Sequence, residues 1–357
     1  MEAVKSRLLK IIFFFNILFG SLLFLSYAGP FLKPSEFYLI SLLSLSYPLM
    51  LGINLFFCVL WIYLRRRYFY FSFVLILLGI QHLFSIIQFG IGQESASQTV
   101  GTNLNIASYN VRYFNANQFN SERQRKNAQL SILNSIEALP MDIFCGQEFS
   151  GKNKENNQTA VEFLRKKGLI HKHSGGLSSL AIHSKYPIVQ KGIISFKNSY
   201  NGAIYADIQI EKKTIRVYCL HLQSIGLKAK ELDLLDQNEK DKRRKYKNIY
   251  DKLYSAYSLR EEQASKIVQH ALSSSHPVLI CGDFNDTPNS YTYRTFSRHF
   301  KDAFMEAGLG LGTTYAGMIP LLRIDFLMSS PEIAFRKFKV LRAGDSDHWP
   351  IWSSISI

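Results

Sequence analysis

The sequence predicts an α/β domain preceded by an all-α transmembrane region. Its composition changes near residue 95, where long uncharged apolar intervals give way to short apolar runs that alternate with charged, amphipathic segments. Strands that alternate with a few long helices are typical of α/β folds, and about 250 residues can form one domain. We therefore expect a membrane anchor over 1–92, a linker over 93–102 and one soluble domain over 103–357.

Three intervals of the first part carry no charge: 11–28, 37–64 and 68–89. Each could cross a hydrocarbon layer about 30 Å thick at about 1.5 Å per residue, so three transmembrane helices are predicted. Buried helices of a soluble core are the alternative. Residues 26–28 also resemble the cleavage site of a secretory signal, and cleavage there would leave two spans.

Basic residues predict the orientation of these spans. Lys5, Arg7 and Lys10 precede the first interval, and an arginine triplet, 65–67, separates the second from the third. The positive-inside rule places both groups in the cytoplasm. The soluble domain is therefore expected on the exoplasmic or periplasmic side of the cytoplasmic membrane, with either number of spans.

The formal net charge is +15, and most of it lies in the soluble part. Residues 1–100 hold seven Lys and Arg against three Asp and Glu, which leaves 35 against 24, or +11, for the rest. A basic domain favours a polyanionic partner such as nucleic acid, lipid headgroups or phosphorylated surface polymers, with a solvated basic face as the alternative. The four cysteines lack zinc-binding spacing, so we expect buried free thiols, with one disulfide pair as the alternative.

Strand and helix signals follow in order along the soluble part. Strands are predicted at 104–111, 141–145, 177–183, from 188, 203–210, 214–220, 278–282, 323–328 and from 351. Helices are predicted over 121–139 and over 260–272. In the first of them, Ser121 and Gln124 suggest a capping box, and Leu130 is assigned to the apolar face. A long insertion lies between the strands predicted at 214–220 and 278–282. It contains a concentrated basic segment, Lys240, Lys242, Arg243, Arg244, Lys245 and Lys247. It predicts a surface helix whose basic face is either solvated or in contact with a polyanion or membrane headgroups.

The apolar run 278–282 ends abruptly in Asp283, Asn285 and a turn at 286–288. Side chains alternate along a strand, so Asp283 and Asn285 are expected to project to the same side. A carboxylate and an amide placed together form a hard-oxygen site, and a capping Asp at an ordinary strand end is the alternative.

Other strand ends and adjacent turns carry polar groups of the same kinds: Asn110, Glu148, His221, Asp325, Asp347 and His348. Each alone is more often structural than functional, but their repetition predicts one shared site. Carboxylate and amide oxygens suit Mg²⁺ or Mn²⁺. No nucleotide cofactor is expected, and the sequence leaves the oligomeric state open.

In this order the motifs closely resemble the endonuclease/exonuclease/phosphatase superfamily, which includes deoxyribonuclease I, abasic-site endonucleases, neutral sphingomyelinases and inositol polyphosphate 5-phosphatases. The most specific parts are Gly282-Asp283-Phe284-Asn285 and Ser346-Asp347-His348-Trp349-Pro350, and the resemblance covers 103–357. It implies a four-layer sandwich of two mixed β-sheets flanked by helices, with the active site where strand-end loops of both sheets meet.

The resemblance also implies residue roles. Glu148 resembles the principal ligand of a divalent metal, with Asn110 and Asp347 close to the same ion. The implied catalytic residues are Asp283, which orients or deprotonates water, Asn285, which fixes a phosphate oxygen, His348 at the scissile phosphate, Asp325, which holds the His348 ring, and His221 near the phosphate or leaving group.

A metal-dependent phosphodiester hydrolase, and first of all a nuclease, is therefore expected. Arg112 stands where abasic-site endonucleases carry an acidic residue, so Asn110-Val111-Arg112 is nearer to the deoxyribonuclease I and broader phosphodiesterase branches. Arg112, Asn285 and His221 are the candidate substrate-binding residues. Alternatives are a phospholipid or sphingomyelin phosphodiesterase, an inositol-phosphate phosphatase and, more distantly, a non-catalytic membrane-anchored polyanion-binding protein.

Overall fold

The computed structural model describes residues 2–90, 101–115, 121–149, 154–226, 239–317 and 321–357. Most of the predicted linker and the side chains of Lys240 and Lys242 lie outside the described residues. The helices are Glu2–Ser26 (α1), Tyr38–Leu45 (α2), Tyr47–Tyr63 (α3), Phe69–Leu78 (α4), Ile80–Phe84 (α5), Glu122–Ala138 (α6), Lys154–Lys166 (α7), Glu239–Leu272 (α8), Tyr291–Ser297 (α9) and Ala303–Ala307 (α10).

The strands form two large sheets and one small one. They are Ile87–Gln88 (β1), Asn103–Asn110 (β2), Ile143–Gln147 (β3), His171–Gly175 (β4), Leu180–Ser184 (β5), Ile188–Ile194 (β6), Gly202–Ile210 (β7), Lys213–His221 (β8), Val278–Asp283 (β9), Lys301–Asp302 (β10), Gly310–Leu311 (β11), Asp325–Ser329 (β12), Ala334–Val340 (β13) and Ile351–Ser356 (β14). The six-stranded sheets have the orders β13-β14-β2-β3-β5-β4 and β10-β12-β9-β8-β7-β6. Both are mixed, because β2 pairs with β3 and β8 with β9 in parallel, whereas their other pairings are antiparallel.

The two sheets pack face to face, and helices cover their outer faces. Ile106 and Ile143 of the first sheet meet Ile204, Val217 and Leu279 of the second in the central core. Helices α6 and α7 bury their apolar faces on the outside of the first sheet, and α8 and α9 on the outside of the second. Strands that are covered on both faces are apolar throughout, as in β3 and β9. The predicted four-layer sandwich is confirmed.

The basic segment and the amphipathic helix predicted after it form one helix, α8, of 34 residues. Two details of the helix predicted over 121–139 are wrong. Ser121 is at the N-cap of α6 but its side chain makes no capping hydrogen bond, and Leu130 is 57% exposed. The buried face is instead formed by Ile132, Leu133 and Ile136.

The N-terminal helices form a bundle with polar side chains at its centre and apolar side chains on its outer surface, the reverse of the arrangement in a water-soluble bundle. Asn16, Asn54 and Ser72, from α1, α3 and α4, are fully buried at its centre. Asn16 donates to the Ser72 hydroxyl at 2.6 Å, and Ser72 donates to Asn54 at 2.9 Å. The outer surface carries exposed apolar side chains, among them Phe14, Phe56, Val59, Phe73 and Leu78.

Among the described helices, the segment Ser6–Phe31 is long and apolar enough to cross a membrane. Tyr38–Leu45 and Tyr47–Tyr63 reach that length only together, across a bend of 60°. The third predicted interval is divided, because Phe69–Leu78 is short and is followed by α5 and β1. One apolar helix near the N-terminus is compatible with either a membrane span or a signal sequence.

One end of the bundle packs against the sandwich. The Asn289 amide donates to the Ser26 carbonyl at 3.1 Å, and the Arg323 Nε donates to the Ser85 carbonyl at 3.1 Å. Strand β1 pairs with β11. These contacts involve the last residues of α1 and the segment after α5. Arg7, Lys10 and the triplet 65–67 lie at the other ends of the helices, as the chain order requires for an antiparallel bundle.

Candidate active site

Strand register brings the predicted polar residues to one edge of the sandwich. Asp283 at the end of β9 is opposite His221 of the parallel strand β8 and Asp325 of the antiparallel strand β12. In the other sheet, β2 and β3 are parallel, so Asn110 and Glu148 follow neighbouring strands at the same edge. Because both sheets present these ends together, residues distant in sequence can share one cleft.

The Oδ2 atom of Asp283 is the meeting point of these groups. Asn110 Nδ2 donates to it at 3.0 Å, across the two sheets. His221 Nε2 lies 3.5 Å away and His348 Nε2 3.6 Å away. The Asn285 side-chain amide is 3.3 Å from the same atom, and the Asn285 backbone N–H donates to Oδ1 at 2.8 Å. Asp283 is 1% exposed, so these groups surround a buried carboxylate.

The backbone around the site adopts uncommon conformations. Gly282 has φ +144°, and a Cβ there would lie 2.0 Å from the Leu220 carbonyl oxygen, so only glycine fits between β8 and β9. Glu148 and Asn285 have φ values of 49° and 50°, in the left-handed region that costs free energy for residues other than glycine. Such strain is maintained only where surrounding contacts fix it, and it is concentrated at functional sites.

His348 and Asp325 form a buried pair. His348 Nδ1 is 2.9 Å from Asp325 Oδ2, and both side chains are nearly inaccessible. Burial lowers the pKa of His348, but the carboxylates of Asp325 and Asp283 outweigh burial and raise it to about 10. The two carboxylates therefore favour the protonated ring, with Nδ1 held by Asp325 and Nε2 3.6 Å from Asp283 Oδ2.

The oxygen donors predicted to hold a metal lie beside this pair. Burial, together with the Asp283 and Asp347 carboxylates, raises the pKa of Glu148 against the effect of two histidines. Among the described residues, the basic side chain within 4.0 Å of the Glu148 carboxylate is His221, at 3.9 Å. A raised carboxyl pKa that arises from burial and like charge is the environment in which a cation stabilises the ionised form. The Glu148 carboxylate therefore lies in surroundings that a divalent cation would stabilise.

Arg112 contacts the other two predicted ligands. Its Nε is 3.1 Å from Asp347 Oδ2, and its backbone N–H donates to Asn110 Oδ1 at 3.1 Å. Asp283, Asp325 and His348 also form a cluster whose ligand atoms lie within 4.8 Å of one another. Because His348 Nδ1 is engaged by Asp325, the geometry of this second cluster suits proton transfer and hydrogen bonding better than metal ligation.

Asn285 and Arg323, which belong to or adjoin the motifs, are both directed away from an open cleft. The Asn285 amide donates to the Leu222 carbonyl at 2.9 Å and faces Asp283, so it is directed inward rather than toward an open cleft. Arg323, which adjoins the Asp325 motif in sequence, is 2% exposed and pairs with Asp302 at 2.7 Å. It supports the strand from behind and does not line the cleft.

Three supporting residues were not predicted. Arg260 of α8 is 1% exposed, donates to the Asn285 carbonyl and lies 3.6 Å from Asp286. Thr314 accepts the Asp325 backbone N–H at 3.1 Å, and Tyr315 pairs with His348 in an isolated β-bridge. Arg260 had a sequence signal, because it begins the buried stripe that continues through 264, 267 and 271. The other two lie in a segment without strand or helix pattern.

Comparison with known proteins gives two family matches. The model of the Endonuclease/Exonuclease/phosphatase family matches 107–348, and a domain of unknown function, DUF8431, matches 9–86. The comparison with curated proteins gives no match.

Solved structures share the fold. An endonuclease/exonuclease/phosphatase family protein from Bacteroides thetaiotaomicron is 18% identical, with a TM-score of 0.53, over 72% of this chain and 99% of that one. Humanized TDP2 from D. rerio is 14% identical, with a TM-score of 0.50, over 71% of this chain and 99% of that one. At these identities the likeness concerns the fold alone.

Proposed function

The chain belongs to the endonuclease/exonuclease/phosphatase family, whose model matches 107–348, and on this premise we propose that it is a divalent-metal-dependent phosphodiester hydrolase. One observation carries the proposal. Side chains from three other motifs, Asn110, His221 and His348, converge within 3.6 Å of Asp283 Oδ2. Polar groups that only cap separate strand ends would not be expected to converge on one buried carboxylate oxygen.

Glu148, Asn110 and Asp347 would hold the ion, Mg²⁺ or Mn²⁺. When bound, a divalent cation neutralises charge on the phosphate and favours ionisation of the attacking water. Glu148 is the principal ligand in this proposal, because Asp347 and Asn110 are shared with Arg112.

Side chains of the protein accept and donate the protons of the reaction and orient the attacking water and the phosphate. Asp283, fixed by hydrogen bonds from Asn110 and Asn285, accepts the proton of the attacking water at Oδ2. His348, kept protonated by Asp325, donates from Nε2 to a phosphate oxygen as negative charge develops there. His221 Nε2 faces the same oxygen of Asp283 and serves as the second donor, near the leaving group.

The charge of the cleft favours a phosphodiester over a phosphomonoester. Arg323 is buried against Asp302, so among the arginines beside the described motifs Arg112 is the one at the cleft, and it is itself paired with Asp347. A dianionic monoester needs more positive charge than this, whereas a diester carries one negative charge.

We propose that the bundle is embedded in the membrane as an anchor over 1–92, joined by a linker over 93–102 to the catalytic domain over 103–357. The reversed polarity supports this: buried Asn and Ser hold helices together in lipid, whereas an outer surface of Phe, Val and Leu would be an unusually large apolar patch in water. Arg7, Lys10 and the triplet 65–67 lie at the end remote from the sandwich, and Lys33 is in the loop at the other end. The positive-inside rule then places the catalytic domain on the exoplasmic or periplasmic side.

Nucleic acid is the first substrate candidate, because the soluble part carries 35 Lys and Arg against 24 Asp and Glu, and phosphate contacts dominate nucleic-acid affinity. A phospholipid headgroup is the second candidate. It is favoured by the docking of the catalytic loops on the bundle, since Asn289 follows the Asn285 motif by four residues and contacts Ser26. That contact holds the cleft near the membrane surface.

The test is a parallel assay of the full chain in nanodiscs, with Mg²⁺, Mn²⁺ or a chelator. The substrates are bis-p-nitrophenyl phosphate, plasmid DNA, RNA, sphingomyelin and phosphatidylcholine vesicles, and inositol phosphates. We expect metal-dependent cleavage of a diester. Activity that survives exhaustive chelation contradicts the metal requirement, and headgroup release without DNA nicking reverses the order of the two substrates.

His348→Ala provides the matched inactive variant, with Lys212→Ala, at an exposed hairpin, as the control. We expect His348→Ala to lose activity on every substrate that the native protein cleaves. If a correctly folded His348→Ala protein loses nothing in any assay, the non-catalytic polyanion-binding alternative replaces the hydrolase.

A further inference from the structure

We propose that the basic N-terminal end of α8 binds anionic phospholipid headgroups at the membrane surface beside the bundle. This surface is separate from the cleft, and the inference rests on the proposed membrane placement of the bundle. It assigns a function to the basic segment that the sequence left open.

Helix α8 lies along the boundary between the bundle and the sandwich. Glu261 accepts the Ser35 backbone N–H at 3.0 Å, and the Tyr254 hydroxyl donates to the Ser35 carbonyl at 3.3 Å. The Tyr250 ring packs against Tyr38 with centroids 4.8 Å apart. These contacts fall on the loop between α1 and α2 and on the first residue of α2, at the end of the bundle that faces the sandwich.

The same face of α8 continues into the basic segment. Tyr250, Tyr254 and Glu261, with Tyr257 between them, are separated by four, three and four residues, which places them on one stripe of a helix with about 3.6 residues per turn. Continuing toward the N-terminus by three and then four residues gives Lys247 and Arg243, on the same stripe. Arg244 is turned from that stripe by about 100°.

We place the basic residues of the stripe at headgroup level. Arg243 precedes Tyr250 by seven residues, or roughly 10 Å along the helix axis. Helix α2, which adjoins this loop, turns away from α3 by 60° and exposes Leu39, as an apolar helix does where a bundle meets the membrane interface. Arg243, Tyr246 and Lys247 are exposed, one to two helical turns before the contact of Tyr250 with Tyr38 at the start of α2.

Lipid explains the composition of this surface better than a soluble partner does. Long basic side chains reach phosphate oxygens from a helix at the interface, and tyrosine is enriched at that depth. Each cation near an anionic membrane surface contributes about a fivefold gain in binding. The contacts of Tyr250, Tyr254 and Glu261 with the bundle fix the position of the helix, so lipid binding does not have to order it.

The test uses the full chain in nanodiscs with a nitroxide label at Tyr246→Cys, in a Cys58→Ala background, because the other three cysteines are buried. Phosphatidylcholine nanodiscs are compared with a series containing increasing phosphatidylglycerol. The readout is collision of the label with a water-soluble nickel reagent. We expect phosphatidylglycerol to protect the label. Arg243→Gln is expected to raise the phosphatidylglycerol content needed by about fivefold, and Arg244→Gln to leave it near the starting value.

A second label at Phe56→Cys, on the outer surface of α3, tests the membrane placement of the bundle separately from headgroup binding by α8. If this label is in lipid but phosphatidylglycerol does not protect position 246, or protects it equally in Arg243→Gln, the headgroup surface is refuted and the membrane placement remains. If the Phe56 label is exposed to water, the placement and the inference both fail. Protection of position 246 by duplex DNA in phosphatidylcholine nanodiscs, with none from phosphatidylglycerol, would identify a nucleic-acid contact instead.

Discussion

In the proposed reaction Glu148 and His348 support different steps. Replacing Glu148 with Gln removes a charged ligand, so we expect the Mg²⁺ concentration for half-maximal activity to rise by about tenfold or more. Replacing His348 with Gln exchanges an ionisable imidazole for a neutral amide that cannot transfer a proton, so kcat should fall by about 10² to 10⁴ with little change in that concentration. Mg²⁺ titrations of initial rates distinguish these effects. The same metal response in both variants would contradict the assignment.

Arg260 acts through Asn285 and is a positioning residue. Arg260→Lys keeps a positive charge near Asp286 but cannot reproduce the donor to the Asn285 carbonyl. We expect kcat to fall by about tenfold with KM nearly unchanged, because the loop that carries Asp283 and Asn285 loses its support. Lys266→Arg, on the exposed face of the same helix, is the control. An unchanged kcat in Arg260→Lys, measured well below Tm, would leave Arg260 with a purely structural role.

The site residues that sequence analysis found share one property, which is that each lies at one end of an apolar run or in the turn beside it. That pattern is local, so it is readable from the chain. Arg260 and Thr314 are supporting groups whose importance depends on which loop they meet after folding, and no local pattern contains that information. The inward direction of the Asn285 amide is likewise set by the Leu222 carbonyl, 63 residues away in sequence.

At the scale of elements, β5 carries a histidine with a consequence for stability. Burial lowers the pKa of His183 to about 4, from an ordinary value near 6.5. The unfolded chain therefore binds a proton that the folded chain refuses between these values. The contribution of His183 to stability is full above about pH 6.5 and is lost as the pH drops toward 4, by up to about 3 kcal/mol.

We expect His183→Gln to flatten this dependence. The measurement is thermal unfolding of the full chain in detergent at a series of pH values. The pH dependence is expressed as the difference in Tm between pH 7.5 and pH 4.5. His299→Gln, at an exposed position, is the control and should keep the native slope. A His183→Gln protein with the native slope would assign the acid sensitivity to other groups.

Elements were predictable where one face was clearly apolar. The hairpin of β7 and β8 and the buried strands β3 and β9 have strong patterns, whereas β4 and β13 were missed. Both are at sheet edges, and the alternation of Lys and Arg with apolar residues along 334–340 gives little net hydrophobic signal. Leu130 was assigned to the wrong face of α6, because the true buried stripe depends on how the helix lies on the sheet.

At the scale of the whole molecule, the distribution of charge along the bundle predicts its topology. A phosphatase reporter that is active only after export, fused after Ile357, should be active. The same reporter fused after Arg67 should be inactive, because that junction is expected in the cytoplasm. An inactive fusion at Ile357 together with an active one at Arg67 would invert the orientation and expose genomic DNA to the cleft.

The docking of the sandwich on the bundle was not predictable from the sequence. Composition separated the two regions near residue 95, and nothing local indicated that Asn289 and Arg323 would bond to carbonyls at 26 and 85. Contacts of this kind join residues more than 200 positions apart, and they depend on both partners having folded.

Those contacts also have a consequence for how the protein is made. The helices leave the ribosome first, and the carbonyls of Ser26 and Ser85 become available as docking points once the bundle has assembled. Asn289 and Arg323, made later, stand close to Asn285 and Asp325. We therefore expect a newly made chain to be latent until its anchor is in place, so that biosynthesis itself withholds hydrolytic activity from the compartment in which the chain is translated.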